Sequence, residues 1–234
     1  KVSAGKWHIK FNRCFHSAKD SLYPVGNVIV TSSRKDNQSH LTVNSSMVDL
    51  DITGVYSFND LPNSVYNLLH LQAPDLFSTP KQNVPEQHCD FSVTLKTSYP
   101  ACNLYFPALY FNKGNLKGSF ASKSSRLQVH GYIDSASYQI YHASQLYINI
   151  SKVGSPDLNY EVKAALITSD NSIKIPQLVA SGNLRNNELK NRIQFNDTTL
   201  KSNVDLISNV NFSKTNTLVA VQSSKIVIRQ KPFI

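Results

Sequence analysis

Charge is scarce in this sequence. Of 234 residues only 17% are Asp, Glu, Lys or Arg, against about 25% for an average soluble domain. With 41% hydrophobic residues, 11 Tyr and 11 Phe, the chain is too rich in core-forming side chains to be a disordered tail. Long apolar runs are missing as well. None approaches the roughly 18 residues that a membrane-spanning helix needs, so no such helix is expected. A starting Met and a short basic-plus-apolar leader are also absent; beginning at Lys1, the sequence reads as a processed protein or a piece of a longer one. Its length suits one large domain or two small ones and can bury a real core.

Chemistry-bearing motifs are equally thin. No GxSxG elbow, Walker loop, GxGxxG or HExxH occurs, which removes the common nucleophile, phosphate, dinucleotide and zinc-protease signatures. The three cysteines, Cys14, Cys89 and Cys102, show neither CxxC nor metal spacing. Cys89 and Cys102 are placed to close a short loop, a contribution of about 3 kcal/mol on the chain-entropy account; the commoner role is that of small buried apolar residues. A zinc set of Cys14, His16, His88 and Cys89 can be drawn, but neighbouring residues on a strand point to opposite faces. No metal and no cofactor are expected. Asp49 and Asp51 would share a strand face about 7 Å apart and read as solvated surface charges rather than a catalytic pair. No catalytic residue is assigned and a non-enzymatic role is expected.

The charge that is present is lopsided: 24 Lys and Arg against 15 Asp and Glu, a net +9. A basic exterior favours anionic partners. Yet the cations stand singly, as at Lys10, Lys19, Lys96, Lys117, Lys152 and Lys190, with no basic arm, so nucleic acid is not an expected partner.

What the sequence has in abundance is period-two alternation. Leu127, Val129, Gly131 and Ile133 fall on one parity, with Arg126, Gln128, His130 and Tyr132 on the other. Leu146, Ile148 and Ile150 repeat the pattern, as do Tyr160, Val162, Ala164 and Leu166. Ile173 and Ile175, Ile193 and Phe195, and Val204 and Leu206 continue it. One apolar face at period two means half-buried strands. Turn-forming clusters such as Gly182-Asn183 and Asn196-Asp197-Thr198 separate them at short intervals, which predicts an all-β antiparallel meander. Leu41-Thr42-Val43 and Asp51-Ile52-Thr53 belong to the same pattern. One segment differs: over residues 60–71 the apolar positions are Leu61, Val65, Leu68 and Leu69, a helical stripe. Asp60 suits the N-cap and Pro62 the first turn. A short helix of this kind packs on a sheet face or plugs an open end. Three sections result: residues 1–56, a first group of strands; 57–88, the helix and a Pro-containing loop; and 89–234, continuing sheet, one continuous domain with the first. Alternation leaves two architectures open, a closed β-sandwich and an elongated sheet curled into a half-pipe, because both place apolar residues on one side.

The middle of the chain resembles a known family. Gly54-Val55-Tyr56-Ser57-Phe58-Asn59-Asp60-Leu61-Pro62, followed by Asn67-Leu68-Leu69, is similar to a recurrent segment of the TamB branch of AsmA-like proteins, the inner-membrane component of the translocation and assembly module. Phe91-Ser92-Val93-Thr94-Leu95-Lys96, Phe106-Pro107-Ala108-Leu109 and Asn115-Leu116-Lys117-Gly118-Ser119-Phe120 extend the likeness, then Arg126-Leu127 and a run of short strands, over roughly residues 50 to 210. The resemblance implies a β-taco, a half-pipe with an apolar inner surface, and makes this chain a central periplasmic segment tethered to the inner membrane through parts outside it. It implies a role in outer-membrane biogenesis, with a barrel partner of the barrel-assembly superfamily. The ligand would be phospholipid or another acyl chain, or an unfolded outer-membrane protein strand. The groove wall would then be Leu127, Val129, Ile133, Leu146, Ile148, Ile150, Val162, Leu166, Ile173, Ile175, Ile193, Phe195, Val204 and Leu206, with cations on the rim facing anionic headgroups. Open sheet ends would allow end-to-end self-association. The competing expectation is a secreted or surface β-sandwich binding glycan or protein through loops at 31–40 or 71–87, with Trp7, Tyr138 and Tyr141 stacking on sugar rings.

Overall fold

The computed structural model describes residues 5–18, 21–77, 79–97, 108–169, 174–228 and 231–233. Strands β1 (Gly5–Ala18), β2 (Ser21–Lys35), β3 (Gln38–Ser45) and β4 (Val48–Val55) precede the helix α1 (Leu61–Gln72). After it come β5 (His88–Thr97), β6 (Leu109–Ala121), β7 (Arg126–Tyr138), β8 (Tyr141–Lys152), β9 (Leu158–Ser169) and β10 (Lys174–Arg185). The chain ends with β11 (Glu188–Asp197), β12 (Ser202–Phe212), β13 (Thr217–Val221), β14 (Lys225–Ile228) and β15 (Lys231–Phe233). All fifteen belong to one sheet in sequence order, every pairing antiparallel and each strand beside its predecessor as far as β12. Beyond β12 the chain shares one edge between β13 and β14.

The sheet does not close on itself or fold into two stacked layers, so the sandwich alternative is not the architecture adopted. The surface area supports this. The chain exposes 14922 Å², whereas a compact monomer of this mass exposes about 10,600 Å² by the usual scaling. No second layer therefore seals the apolar face, whose side chains are mostly part-buried, and among the described residues no large side chain is fully buried.

Two local features shape the sheet into a half-pipe. Tight turns hold successive strands together: Asp36-Asn37 and Asn186-Asn187 take φ values of 48° and 69°, and 49° and 66°, the left-handed pair that suits a two-residue hairpin and that Asn and Asp tolerate. The second feature is a crease. Lys113 in β6, Gln145 in β8 and Gln177 in β10 have φ of 42°, 51° and 50°, a region costing a non-glycine residue about 1–2 kcal/mol. They recur at one fixed interval, once per two-strand hairpin. The ladder around Lys113 keeps its register, with Asn112 opposite Ser135 and Gly114 opposite Ile133, so no residue is inserted on either strand. In β6 the exposure alternation slips at this point, Asn112 and Lys113 both being exposed.

Helix α1 lies along one rim of this trough, across the strand ends from β4 to β11. Asp60 is the N-cap residue, though its side chain makes no capping bond, and Pro62 sits in the first turn. The stripe Leu61, Val65, Leu68 and Leu69 packs on Ile52, Cys89, Phe120 and Leu127, the densest apolar cluster among the described residues. At the other end of the helix, Asn187 N–H donates to the Gln72 carbonyl (2.9 Å) and Asp75 N–H donates to Asn187 Oδ1 (2.9 Å). In the amide orientation that pairs donors with acceptors, Gln72 nitrogen donates to the Pro156 and Leu184 carbonyls at 3.0 Å each, and its oxygen accepts from Lys152 Nζ at 3.3 Å. Lys152, only 7% exposed, also donates to the Pro156 carbonyl (2.9 Å). Buried polar groups must be paired; here the pairing ties the helix, inserted after β4, to the β8–β9 and β10–β11 turns.

Candidate acyl-chain trough

Residues opposite each other in an antiparallel ladder share a face, so the register can be followed from strand to strand. Starting at Ile9, the partners are Val30, Val43 and Leu50, then Val93, Leu116 and Gly131, then Ile148, Val162 and Ala180, and finally Ile193 and Leu206. Every position on twelve consecutive strands is apolar or glycine. At about 4.8 Å per strand the row is about 53 Å long. A second row runs from Leu41 through Ile52, Phe91, Gly118 and Val129 to Ile150. It then turns polar: Tyr160 donates its hydroxyl to Asn191 Oδ1. A third joins Leu95, Gly114, Ile133, Leu146, Ala164 and Leu178.

The trough floor is filled where glycine leaves room. A side chain at Gly118 would meet the Phe91 ring and the Gln128 carbonyl, and one at Gly131 would meet the Leu116 side chain and the Asn115 carbonyl. Large neighbours therefore lean over the gaps, which keeps the stripe continuous. Towards β1 the stripe is least covered: Trp7, Ile9 and Phe11 alternate along this edge strand and are 47%, 43% and 49% exposed.

Eleven of the fourteen expected wall residues stand together on this face: Leu127, Val129, Ile133, Leu146, Ile148, Ile150, Val162, Ile193, Phe195, Val204 and Leu206 share its parity and are part-buried. Leu166 and Ile175 do not join them as a pair. They lie past the crease, Leu166 opposite Pro176 and Ile175 opposite Ile167, so they occupy neighbouring rows. Ile173 lies outside the described residues. The alternation in Leu41 and Val43, Leu50 and Ile52, and Phe91, Val93 and Leu95 carries the same signal, and these residues extend the stripe across the N-terminal strands.

The opposite face is polar. Arg192 grips Asp205 through two bonds, Nε to Oδ1 at 2.7 Å and the second guanidinium nitrogen to Oδ2 at 2.6 Å, and the pair holds the Asp205 carboxyl below its ordinary range. Asp49 accepts from Lys96 Nζ at 2.7 Å and Asp51 lies 3.0 Å from His40 Nε2; the two carboxylates are thus separate surface pairs. Cys89 is a buried free thiol on the trough face, pushed up to about 11 by burial, with Asp90 adding to the shift. His88 beside it is exposed, and no metal-holding cluster occurs among the described residues; Cys102 and the side chains of Cys14 and His16 lie outside them. Tyr56, next to the cluster, is pushed up to about 12, first by burial, then by Cys89 and Asp51.

Comparison with known proteins gives no match: no protein-family model, curated protein or solved structure is significantly similar to this chain.

Proposed function

We propose that the chain is a non-enzymatic apolar trough that accommodates acyl chains. The observation that carries this is the unbroken row from Ile9 to Leu206 on the uncovered face of an unclosed sheet. Apolar surface left in water is unfavourable, and a large exposed patch marks an interaction site. A hydrocarbon tail lying on it gains about 0.8 kcal/mol per buried CH₂. That attraction has little directionality, so a chain slides along the row without being held at one point. The net charge of +9 suits anionic headgroups.

The resemblance to TamB and AsmA-like proteins sets this activity in a periplasmic segment of a tethered parent. On that reading it carries phospholipid or another acylated cargo in outer-membrane biogenesis, with an outer-membrane barrel as partner. The test is site-specific photocrosslinking in bacterial cells. A photoreactive residue at Ile148 should capture phospholipid, whereas one at Asn149, its neighbour on the opposite face, should not. Equal capture at both positions, or none at Ile148, overturns the proposal.

A further inference from the structure

We infer that the polar face carries a second site, a notch for a pyranose ring of a neutral oligosaccharide, built on β6 to β9. The notch measures about 460 Å³, within the ordinary range for small-ligand sites of about 300–1,000 Å³. Its walls are Tyr132 and Tyr147, opposite each other in the β7–β8 ladder, with ring centroids 4.9 Å apart and planes inclined at 53°. Tyr147 is 55% exposed. The Asp134 carboxylate, two residues along the same strand face, pushes the Tyr132 hydroxyl's pKa up. The backbone at Gly131 and Ile148 completes the floor.

The rim decides the ligand class. Asn115, His130 and Asn149 offer hydrogen-bonding amide and imidazole groups, while Glu161 and Lys163 pair with each other across 2.8 Å. A phosphate or a nucleic-acid strand needs positive charge at the site itself, and the one lysine among the lining residues, Lys163, is paired with Glu161. An acyl chain needs a continuous apolar wall, and here polar groups interrupt it on every side. A pyranose has apolar C–H faces for aromatic rings and hydroxyls around its edge for amide, imidazole and carboxylate groups. Tyr rings supply both requirements at low conformational cost. At the end of the same hairpin, Tyr138 and Tyr141 also stand opposite each other and are 53% and 46% exposed, a second stacking pair for a longer saccharide.

The experiment is isothermal titration calorimetry of the full chain with chitotetraose, cellotetraose and maltotetraose. At least one should bind. Tyr147→Ala should weaken that binding tenfold or more with an unchanged circular-dichroism spectrum, and Tyr147→Phe should keep most of it. Phospholipid crosslinking at Ile148 should be the same in Tyr147→Ala as in the parent chain, which separates this site from the trough. No binding of any of the three sugars, or affinity unaltered in Tyr147→Ala, overturns the inference and leaves the tyrosine pair as cross-strand packing.

Discussion

Truncating Phe120 and Ile148 to alanine should give unequal losses, because one residue lies in a closed cluster and the other in an open wall. Phe120 is 3% exposed and packs with Ile52, Leu68 and Cys89 beneath the helix. Removing its ring costs the transfer free energy and leaves a cavity that the tethered helix cannot fill, together about 3–5 kcal/mol. Ile148 is part-buried in the trough. Water enters the space its side chain leaves, so no cavity term arises, and the loss is the transfer of three partly exposed carbons, about 1–2 kcal/mol. Urea denaturation followed by circular dichroism reads both. A domain holds only about 5–15 kcal/mol in total, so Phe120→Ala should move the midpoint severely and Ile148→Ala modestly. Equal losses for the two variants would refute the reasoning, since Ile148 would then be sealed from water as a closed core residue is.

Three further outcomes follow from local geometry. Gln145→Gly should raise stability by about 1 kcal/mol by relieving the left-handed φ of 51°, while Gln145→Val, β-branched at the same point, should lower it; thermal melts compare the two. Cys89, its thiol raised to about 11 by burial, should resist iodoacetamide at pH 7 in the folded chain and react on unfolding. A raised thiol contributes stability below its unfolded pKa that is lost as pH climbs through about 11, so alkaline unfolding should shift upward in Cys89→Ala. Asp205, held low by Arg192, contributes in the opposite sense, above its unfolded pKa and less as pH falls. In Arg192→Gln its titration, read by carbon NMR of the carboxyl, should move up towards the ordinary carboxylate range.

Much of this fold is legible as period two. The runs from Leu127 to Ile133 and from Leu146 to Ile150 give the strands, their facing and their antiparallel order, because each turn is too short for a crossover. The helix is legible too, since Leu61, Val65, Leu68 and Leu69 break the alternation at a helical spacing. The crease is not. Lys113, Gln145 and Gln177 are neither Gly nor Asn, the types that favour a left-handed backbone, so no residue in the sequence marks the positions. Leu166 and Ile175, read as continuing the alternation, end in neighbouring rows because the β9–β10 register sets Leu166 opposite Pro176. Openness was equally hidden, since a sandwich core and a trough wall use the same residues at the same period. The tyrosine notch depends on which residues stand opposite each other, and register is a property of pairing that one strand's sequence does not contain.

The central claim is that the apolar face holds acyl chains, and native mass spectrometry of the chain purified from a bacterial host in mild detergent, with lipid extraction, tests it most directly. Bound phospholipid is expected on the parent chain and its loss is expected in Ile148→Asp and Leu206→Asp, both still folded. A lipid-free parent chain, with the same two variants unfolding, would contradict the account and make the apolar face a closed core.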